Sequence, residues 1–390
     1  MSDDVPSVSL RAVSRLALWW RLPRALGLAT DGRKLILATI GLMMMWAGWD
    51  LLDRAFPTSA EITAPAVART TALPREFTPS DQVHAAFRQA ADPLRMLAAP
   101  VIATFELPSN NRRFLHALLA TLWAVIVWAP VGGTIARIAV VESATGSRIS
   151  LAKGIQFALY KLGALITAPL SPIMGIGFFT AFCALFGLLY RIPGPVGVTI
   201  AGALAFLPIG AGVLMALILI GLIAGWPLMI AGVAAEANDG FDALSRSYSY
   251  VLQRPGQYAV AIGIAWIFGA LGTTLAMLAA RLIVHLTIWA VSFGGPDART
   301  LLLFLDGPLT RSSAGSFHYL WVSAVALLAY SWTFSYFWSA SAQIYLLMRH
   351  EVDGAPWGDV ALPSTDESPP IPLVVAEEIA AGQVPPGEQT

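Results

Sequence analysis

The stretch VGVTIAGALAFLPIGAGVLMALILIGLIAGWPLMIAGVAA, residues 196–235, decides the fold, because it contains no charged side chain. A run of about 18 or more apolar residues is long enough to cross a bilayer as an α-helix. The sequence therefore predicts an all-α, polytopic helical membrane protein with about six transmembrane helices and interfacial amphipathic helices. The five other apolar runs lie at about 35–52, 114–141, 157–190, 257–291 and 317–348.

Charge is scarce and balanced in this chain. Only 12% of the residues are charged, 24 basic against 24 acidic, and the mean hydropathy is +0.66. Because the net charge is zero, we expect no general attraction to nucleic acid. The single cysteine, Cys183, excludes an intrachain disulfide and is typical of a small buried apolar side chain.

Lys and Arg in short loops predict the orientation of the chain, because these residues resist translocation. Arg112 and Arg113, on the side assigned outside, oppose the orientation that the other loops favour. We expect a multi-pass protein of the bacterial cytoplasmic (inner) membrane, with its N-terminus and its C-terminus in the cytoplasm. The basic residues before the first run, which place the N-terminus there, are Arg11, Arg15, Arg21, Arg24, Arg33 and Lys34.

Composition divides the chain into five parts. Residues 8–22 of the first part predict an amphipathic helix on the inner leaflet, with a partly disordered tail as the alternative. Residues 93–107 are too short to span, so they lie in the interface, re-enter the membrane or cover the bundle. The parts are a cytoplasmic basic leader (1–34), a first transmembrane helix (35–52), an extracytoplasmic segment (53–113), a five-helix membrane core (114–352) and a disordered acidic, Pro-rich cytoplasmic tail (353–390).

Three apolar runs end in a similar way. They close as VVESATGSRISLAKG (140–154), AAEANDGFDALSRS (234–247) and RHEVDGAPWGDV (349–360). The first two continue as short amphipathic helices, whereas the third does not. The pattern indicates a pseudo-repeat of helical hairpins. Each copy places a glutamate at the inner end of a span with a glycine three or four residues later, and these glutamates are Glu142, Glu236 and Glu351.

The loop FDALSRSYSYVLQRPGQY (241–258) resembles the Ala-Leu-x-Arg-Ser-Tyr/Trp loop of a broad group of bacterial six-span membrane-domain families. These families are mostly of unknown function and include the membrane domain attached to some glycerophosphodiester phosphodiesterases. The resemblance covers about 114–352 and implies a membrane domain without the phosphodiesterase activity, whose soluble domain we do not expect here. The matching residues are Ala243, Leu244, Arg246, Ser247 and Tyr248.

The same loop is predicted to form a docked helix. Asp242 and Arg246 stand four residues apart, in the order that favours an ion pair. The helix either fixes the packing of the hairpins or forms a site for lipid headgroups or a protein partner. The candidate contact residues on the inner face are Glu142, Glu236, Asp242, Arg246, Ser247, Tyr248, Arg254 and Glu351.

The sequence contains no catalytic, metal-binding or nucleotide-binding motif. We therefore expect no cofactor and no metal, and a non-enzymatic scaffold or accessory protein. Its expected partners are the lipid bilayer, anionic lipid headgroups and other membrane proteins. Two alternatives stay open: a permease or channel that uses the Pro/Gly-broken third and fourth helices, and an intramembrane lipid-modifying enzyme.

Overall fold

The computed structural model describes residues 19–57, 79–106, 110–294 and 313–362, which form helices and no strand. The predicted amphipathic residues 8–18 and the tail residues 363–390 lie outside this part of the chain. Two 3-10 turns, Leu22–Arg24 and Leu188–Arg191, accompany the α-helices. The α-helices are α1 (Ala25–Ala29), α2 (Gly32–Ala55), α3 (Pro79–Ala90), α4 (Asp92–Ala103), α5 (Asn111–Thr145), α6 (Leu151–Tyr160), α7 (Leu162–Gly187), α8 (Pro195–Ala203), α9 (Phe206–Glu236), α10 (Gly240–Gln253), α11 (Pro255–Val291) and α12 (Ser313–Asp353).

Six of these helices, α2, α5, α7, α9, α11 and α12, are long and apolar enough to cross a membrane. The prediction of an all-α, polytopic membrane protein is therefore confirmed. Helices α6 and α10 are the short connections that the sequence predicted to be amphipathic, and each joins two spans.

Side-chain caps explain where several of these helices begin. Asp31, Asn110, Ser150 and Asp239 each stand directly before a helix, and each accepts a hydrogen bond from a backbone N–H of its first turn. Short polar side chains at this position satisfy N–H groups that have no partner within the helix. The caps thus set the starts of α2, α5, α6 and α10.

Helix α12 packs against α2, α5, α9 and α11 and carries much of the buried aromatic surface. Its tryptophans lie on glycines of its neighbours, Trp338 on Gly132 of α5 and Trp332 on Gly272 of α11. A Cβ atom at Gly272 would lie 1.9 Å from the Trp332 ring. Glycine is therefore required at this contact, because small residues let membrane helices approach closely.

The first spanning helix, α2, belongs to the bundle. The Thr39 hydroxyl donates to Ser331 Oγ of α12 at 2.8 Å, and the Trp123 indole of α5 donates to the Met44 carbonyl at 3.1 Å. Leu42 of α2 is fully buried. All six spans therefore pack together, and the division into a first transmembrane helix and a five-helix core stays a prediction.

The described end of the leader also enters the bundle. The chain forms a 3-10 turn that contains Pro23, and helix α1 then buries Ala25 and Ala29 completely. The Ser335 hydroxyl of α12 donates to the Ala29 carbonyl at 2.9 Å. Residues 25–29 are therefore part of the packed interior and not of a surface leader, because their small side chains let α1 fit against α12.

Helix α4, within the predicted 93–107 segment, covers the bundle. Its Met96 and Leu97 are buried, and the Tyr330 hydroxyl of α12 donates to the Asp92 carboxylate at 3.0 Å. Nearby, His116 of α5 and Asp53 of α2 are joined by a 2.9 Å hydrogen bond. This packing is one of the three arrangements that the sequence left open.

The packed chain continues past the predicted start of the tail at residue 353. Trp357 is buried, and its indole donates to Ser143 Oγ of α5 at 3.3 Å. Arg349 of α12 contacts the Asp359 carboxylate at 3.1 Å. The first compact unit ends at Val360, since these contacts hold residues 354–360 against the ends of α5 and α12.

Candidate functional site

Glu142, at the end of α5, lies between two cations. Lys34 Nζ of α2 is 3.2 Å from one carboxylate oxygen, and Arg148 Nε of the following loop is 3.2 Å from the other. Lys34 is fully buried and also donates to the Leu28 carbonyl at 2.9 Å, whereas 77% of the Arg148 side chain is exposed. We call these three residues, Lys34, Glu142 and Arg148, the Glu142 cluster.

Glu236, at the end of α9, repeats this arrangement. Arg349 Nη1 of α12 lies 3.6 Å from its carboxylate, and Arg246 Nη1 of α10 lies 3.0 Å from it. The Tyr345 hydroxyl donates to the same carboxylate at 2.7 Å. As at Glu142, a buried cation comes from another span and a more exposed one from the following connection.

Arg246 extends the contacts of Glu236 to further carboxylates. Its guanidinium lies 3.1 Å from Asp242, as the four-residue spacing predicted, and 3.8 Å from Asp353. Arg349 in turn contacts Asp359. We call this larger set the Glu236 network, and it comprises Glu236, Asp242, Arg246, Tyr345, Arg349, Asp353 and Asp359.

The charges of the network shift the ionisation of groups on α10. Burial lowers the pKa of Arg246, but the Asp242 hydrogen bond and the negative charge of Glu236 outweigh it and raise this pKa above its usual range. Burial, together with a hydrogen bond to Asp353, raises the pKa of Tyr250. Both side chains therefore keep their protons at neutral pH.

Three hydrogen bonds between neighbouring residues join the helix ends that carry the Glu142 cluster and the Glu236 network. Ser143 donates to Gln343 Oε1 of α12 at 2.8 Å, and it accepts the hydrogen bond from Trp357. Arg137 of α5 donates to the Ala234 carbonyl of α9 at 2.8 Å. The ends of α5, α9 and α12 are thus joined by polar contacts that side chains make across the bundle.

Four predicted residues do not join the ion pairs. Ser247 is buried and donates to the Ala243 carbonyl of its own helix at 2.7 Å. The Tyr248 hydroxyl donates to the Ile218 carbonyl of α9 at 2.7 Å, and burial raises the pKa of Tyr248 to about 12. These two residues dock α10 on α9. Arg254 is exposed and Glu351 is half-buried, and neither belongs to the Glu142 cluster or the Glu236 network.

The pseudo-repeat has a structural counterpart in its first two copies. Helices α5 and α9 both end at a glutamate cluster, continue into a short helix and return as a span. The glycines differ in role, since Gly146 caps α5 with a φ of 71°, whereas Gly240 packs against Thr167 of α7. Glu351 lies outside both ion-pair groups, so the third copy repeats the sequence pattern without the cluster.

Six members of the two groups were not predicted as contact residues from the sequence: Lys34, Arg148, Tyr345, Arg349, Asp353 and Asp359. A signal was present, because Lys34 begins one apolar run while Arg349 and Asp353 end another. Charged residues at such positions are ordinarily interfacial and need no partner. The pairing depends on which helices pack together, and the sequence alone does not state this.

The Pro/Gly-broken segments of the third and fourth spans, α7 and α9, do not line a cavity of about 230 Å³ in the bundle, which lies between the later part of α9, α11 and α12. Its lining is largely apolar and includes Ile223 and Pro227, but no residue of 169–177 or 208–212. This cavity gives no support to a pathway through the broken segments. Within the described residues, no three His, Cys, Asp or Glu side chains are placed to hold a metal ion.

Comparisons with protein-family models, curated proteins and solved structures found no match for this chain. The chain is an integral membrane protein by its six apolar helices. The likeness of residues 241–258 to the bacterial six-span families stays a prediction.

Proposed function

We propose that this protein is a non-enzymatic scaffold or accessory component of the bacterial cytoplasmic membrane. In this proposal the end of the bundle that carries Glu142 and Glu236 faces the cytoplasm, and other components assemble on it. The single observation that carries the proposal is the closed ion pairing of the Glu236 network. Both of its arginines contact carboxylates within the protein, and its tyrosine donates to Glu236.

Closed ion pairing supports a structural role over a catalytic one. Catalytic acids and bases need a pKa close to the working pH, which burial or neighbouring charges must arrange. The pKa values of Arg246, a member of the network, and of Tyr250, which donates a hydrogen bond to Asp353 of the network, are both raised, away from neutral pH. The contacts instead fix the ends of α9, α10 and α12 relative to one another, which gives a binding surface a defined shape.

The exposed charged residues near Glu236 are opposite in sign to those near Glu142. Beside Glu236, the exposed fraction is 41% for Asp242, 37% for Asp353 and 71% for Asp359. We call these three residues the acidic edge. Complementary charge steers and orients association, so the acidic edge suits a basic segment of a protein partner.

Beside Glu142 the exposed charges are basic. Arg148 and Lys153 are both exposed, and we call them the basic edge. Lys153 lies on α6, whose Leu159 and Tyr160 are exposed apolar residues. A basic helix with an apolar side suits a membrane surface with anionic headgroups. We therefore assign lipid contact to the basic edge and protein contact to the acidic edge.

Charge reversal at the acidic edge tests this proposal. The variant Asp359→Lys should lose the proteins that co-purify with the wild type from membranes, as measured by quantitative mass spectrometry. The matched control is Asp50→Lys. Asp50 is also an exposed aspartate paired with an arginine, Arg54, but it lies at the end of α2 that is far from Lys34 and the Glu142 cluster. The control should keep the co-purifying proteins.

Two results would contradict the proposal. One is a wild-type protein that purifies without any stoichiometric partner, and the other is equal recovery of partners by both variants. Thermal unfolding of each variant separates loss of binding from loss of folding.

A further inference from the structure

The cavity between α9, α11 and α12 has no role in the function proposed above. Ala224 of α9, Trp266 of α11 and Ala340 of α12 line it, and helix α3 reaches it through Ala90. Its volume is about 230 Å³. Cavities of about 150 Å³ lined by apolar side chains stay dry and bind hydrocarbon molecules such as benzene. The space is therefore suited to a hydrocarbon and not to water.

The polar atoms of the lining are already hydrogen-bonded. Ser341 donates to the Phe337 carbonyl of its own helix at 2.7 Å, and Tyr336 donates to the Ala265 carbonyl at 2.8 Å. Tyr258 donates to the Ala224 carbonyl at 2.5 Å. No hydroxyl of these residues needs a further acceptor, so a polar ligand would lose its own hydration without gaining partners.

Two hydrogen bonds of lining residues tie α11 to its neighbours. Tyr258 joins α11 to α9, and the Trp266 indole donates to the Phe87 carbonyl of α3 at 3.0 Å. Two lining residues of α11 are also exposed on the outside of the bundle, Ile262 to 39% and Trp266 to 45%. The side of the cavity is therefore edged by exposed apolar residues of a spanning helix.

This edge is continuous with the surface that contacts the bilayer. Ile267 and Leu271 on α11 and Ile220 on α9 are more exposed still, and all belong to spanning helices. Lipid is the solvent for such a surface, and no backbone polar group interrupts it. The occupant that can enter from this side without crossing water is the acyl chain of a neighbouring lipid.

We propose that this cavity binds one acyl chain of a bilayer phospholipid, which enters sideways between α9 and α11. The chain fills a space that would otherwise remain empty beside α12. It contacts Ala340 and Ile344, which are 5% and 7% exposed and are separated from the lipid by the cavity.

Photolabelling of the full chain in phosphatidylcholine vesicles tests this site. The probe is a phosphatidylcholine with a diazirine in one acyl chain, and labelled positions are read by peptide mass spectrometry. We expect labels on residues 337–344 of α12 in addition to the exposed α11 residues. Residues 346–348 are buried away from the cavity and define the background.

Filling the cavity should remove these labels. Ala340→Leu should reduce labelling of 337–344 to the background, while Ala279→Leu, on the exposed face of α11, should leave it unchanged. Ala224→Leu, at a half-buried lining position, repeats the test in case Ala340→Leu does not fold. Labelling of the exposed α11 residues should persist in every variant.

Three results would overturn the proposal. Labelling of 337–344 at the background level in the wild type would show that no acyl chain enters. Labels that survive both filling variants would show that they arise elsewhere. Labels that appear in vesicles but not in native membranes would show that another occupant, such as a protein helix, takes the site.

Discussion

The ends of α5 and α9 both hold cations against a glutamate, but they differ in the number of other carboxylates that contact those cations. Each ends at a glutamate held between a buried cation of another span and a more exposed cation that follows in sequence. At Glu142 the buried cation is Lys34, and Glu142 is the carboxylate that it contacts. At Glu236 both arginines also contact other carboxylates, Asp242 and Asp353 for Arg246 and Asp359 for Arg349.

This difference shows how a repeated arrangement can serve two purposes. The Glu142 cluster is small, and Glu142 is the one carboxylate among the described residues that its buried lysine contacts. The Glu236 network has surplus carboxylates, so its acidic edge can contact another molecule while the helix ends stay paired. We infer that the first holds the bundle together and that the second carries the binding surface.

The largest effect should come from Glu142→Gln. This change leaves the Lys34 charge buried beside a neutral amide, and breaking a buried pair in this way costs about 3–5 kcal/mol. The free energy of unfolding, measured in lipid nanodiscs with a denaturant, should fall by this order. The double variant Lys34→Met with Glu142→Gln should lose less, since it removes both charges. A double variant less stable than the single one would contradict this account.

A smaller loss is expected for Glu236→Gln. Arg246 and Arg349 keep their other carboxylates, so neither charge is left alone, and the cost is that of weakened hydrogen bonds to charged groups, about 1–3 kcal/mol. The same nanodisc measurement applies. If Glu236→Gln destabilised the protein more than Glu142→Gln, the proposed redundancy of the network would be wrong.

Tyr345→Phe should have a still smaller effect. It removes one hydrogen bond to Glu236 while the ring keeps its place against Gly232, and both arginines still contact the carboxylate, so we expect a loss of about 1 kcal/mol, the net value of one typical hydrogen bond. Combined with Glu236→Gln, Tyr345→Phe should cost less than it does alone, because its acceptor has changed. If the stability losses of the two single variants added fully in the double variant, the Tyr345 hydroxyl would not act through Glu236.

The smallest effect is expected for Asp31→Asn, and its effect on stability should depend on pH. A side-chain hydrogen bond from Arg33 lowers the pKa of Asp31, the cap of α2. Because the folded pKa lies below the unfolded value of about 3.9, Asp31 contributes stability above that pH and loses it as pH falls through the folded pKa. Asp31→Asn should therefore be less stable than the wild type at pH 7, with the difference shrinking below about pH 4. A constant difference across pH would exclude this charge effect.

The spans were predictable from sequence, whereas their packing was not. Long uncharged runs mark α9 and α11 because a bilayer requires about 20 apolar residues. The same runs cannot show that α2 packs into the bundle, since lipid tails and a protein interior are equally apolar. Trp357 was missed for another reason, because it lies in a Pro-rich acidic segment that resembles a disordered tail.

Part of the site was equally predictable. The Asp242–Arg246 pair follows from four-residue spacing on one helix, and Glu142 and Glu236 were found because their surroundings repeat. Lys34 and Arg349 come from spans far away in sequence, so only the packed bundle brings them to these glutamates. Local sequence patterns therefore predicted Glu142 of the first group and Glu236, Asp242 and Arg246 of the second, but none of their partners from other spans.

The most direct test compares what the two edges touch in native membranes. Asp359→Cys and Lys153→Cys, each in a Cys183→Ser background, can carry a thiol-linked photoreactive group on the acidic edge and the basic edge respectively. We predict a discrete protein adduct from position 359 and only lipid adducts from position 153. Lipid adducts alone from position 359, or the same protein adduct from both positions, would contradict the assignment of a protein partner to the Glu236 network.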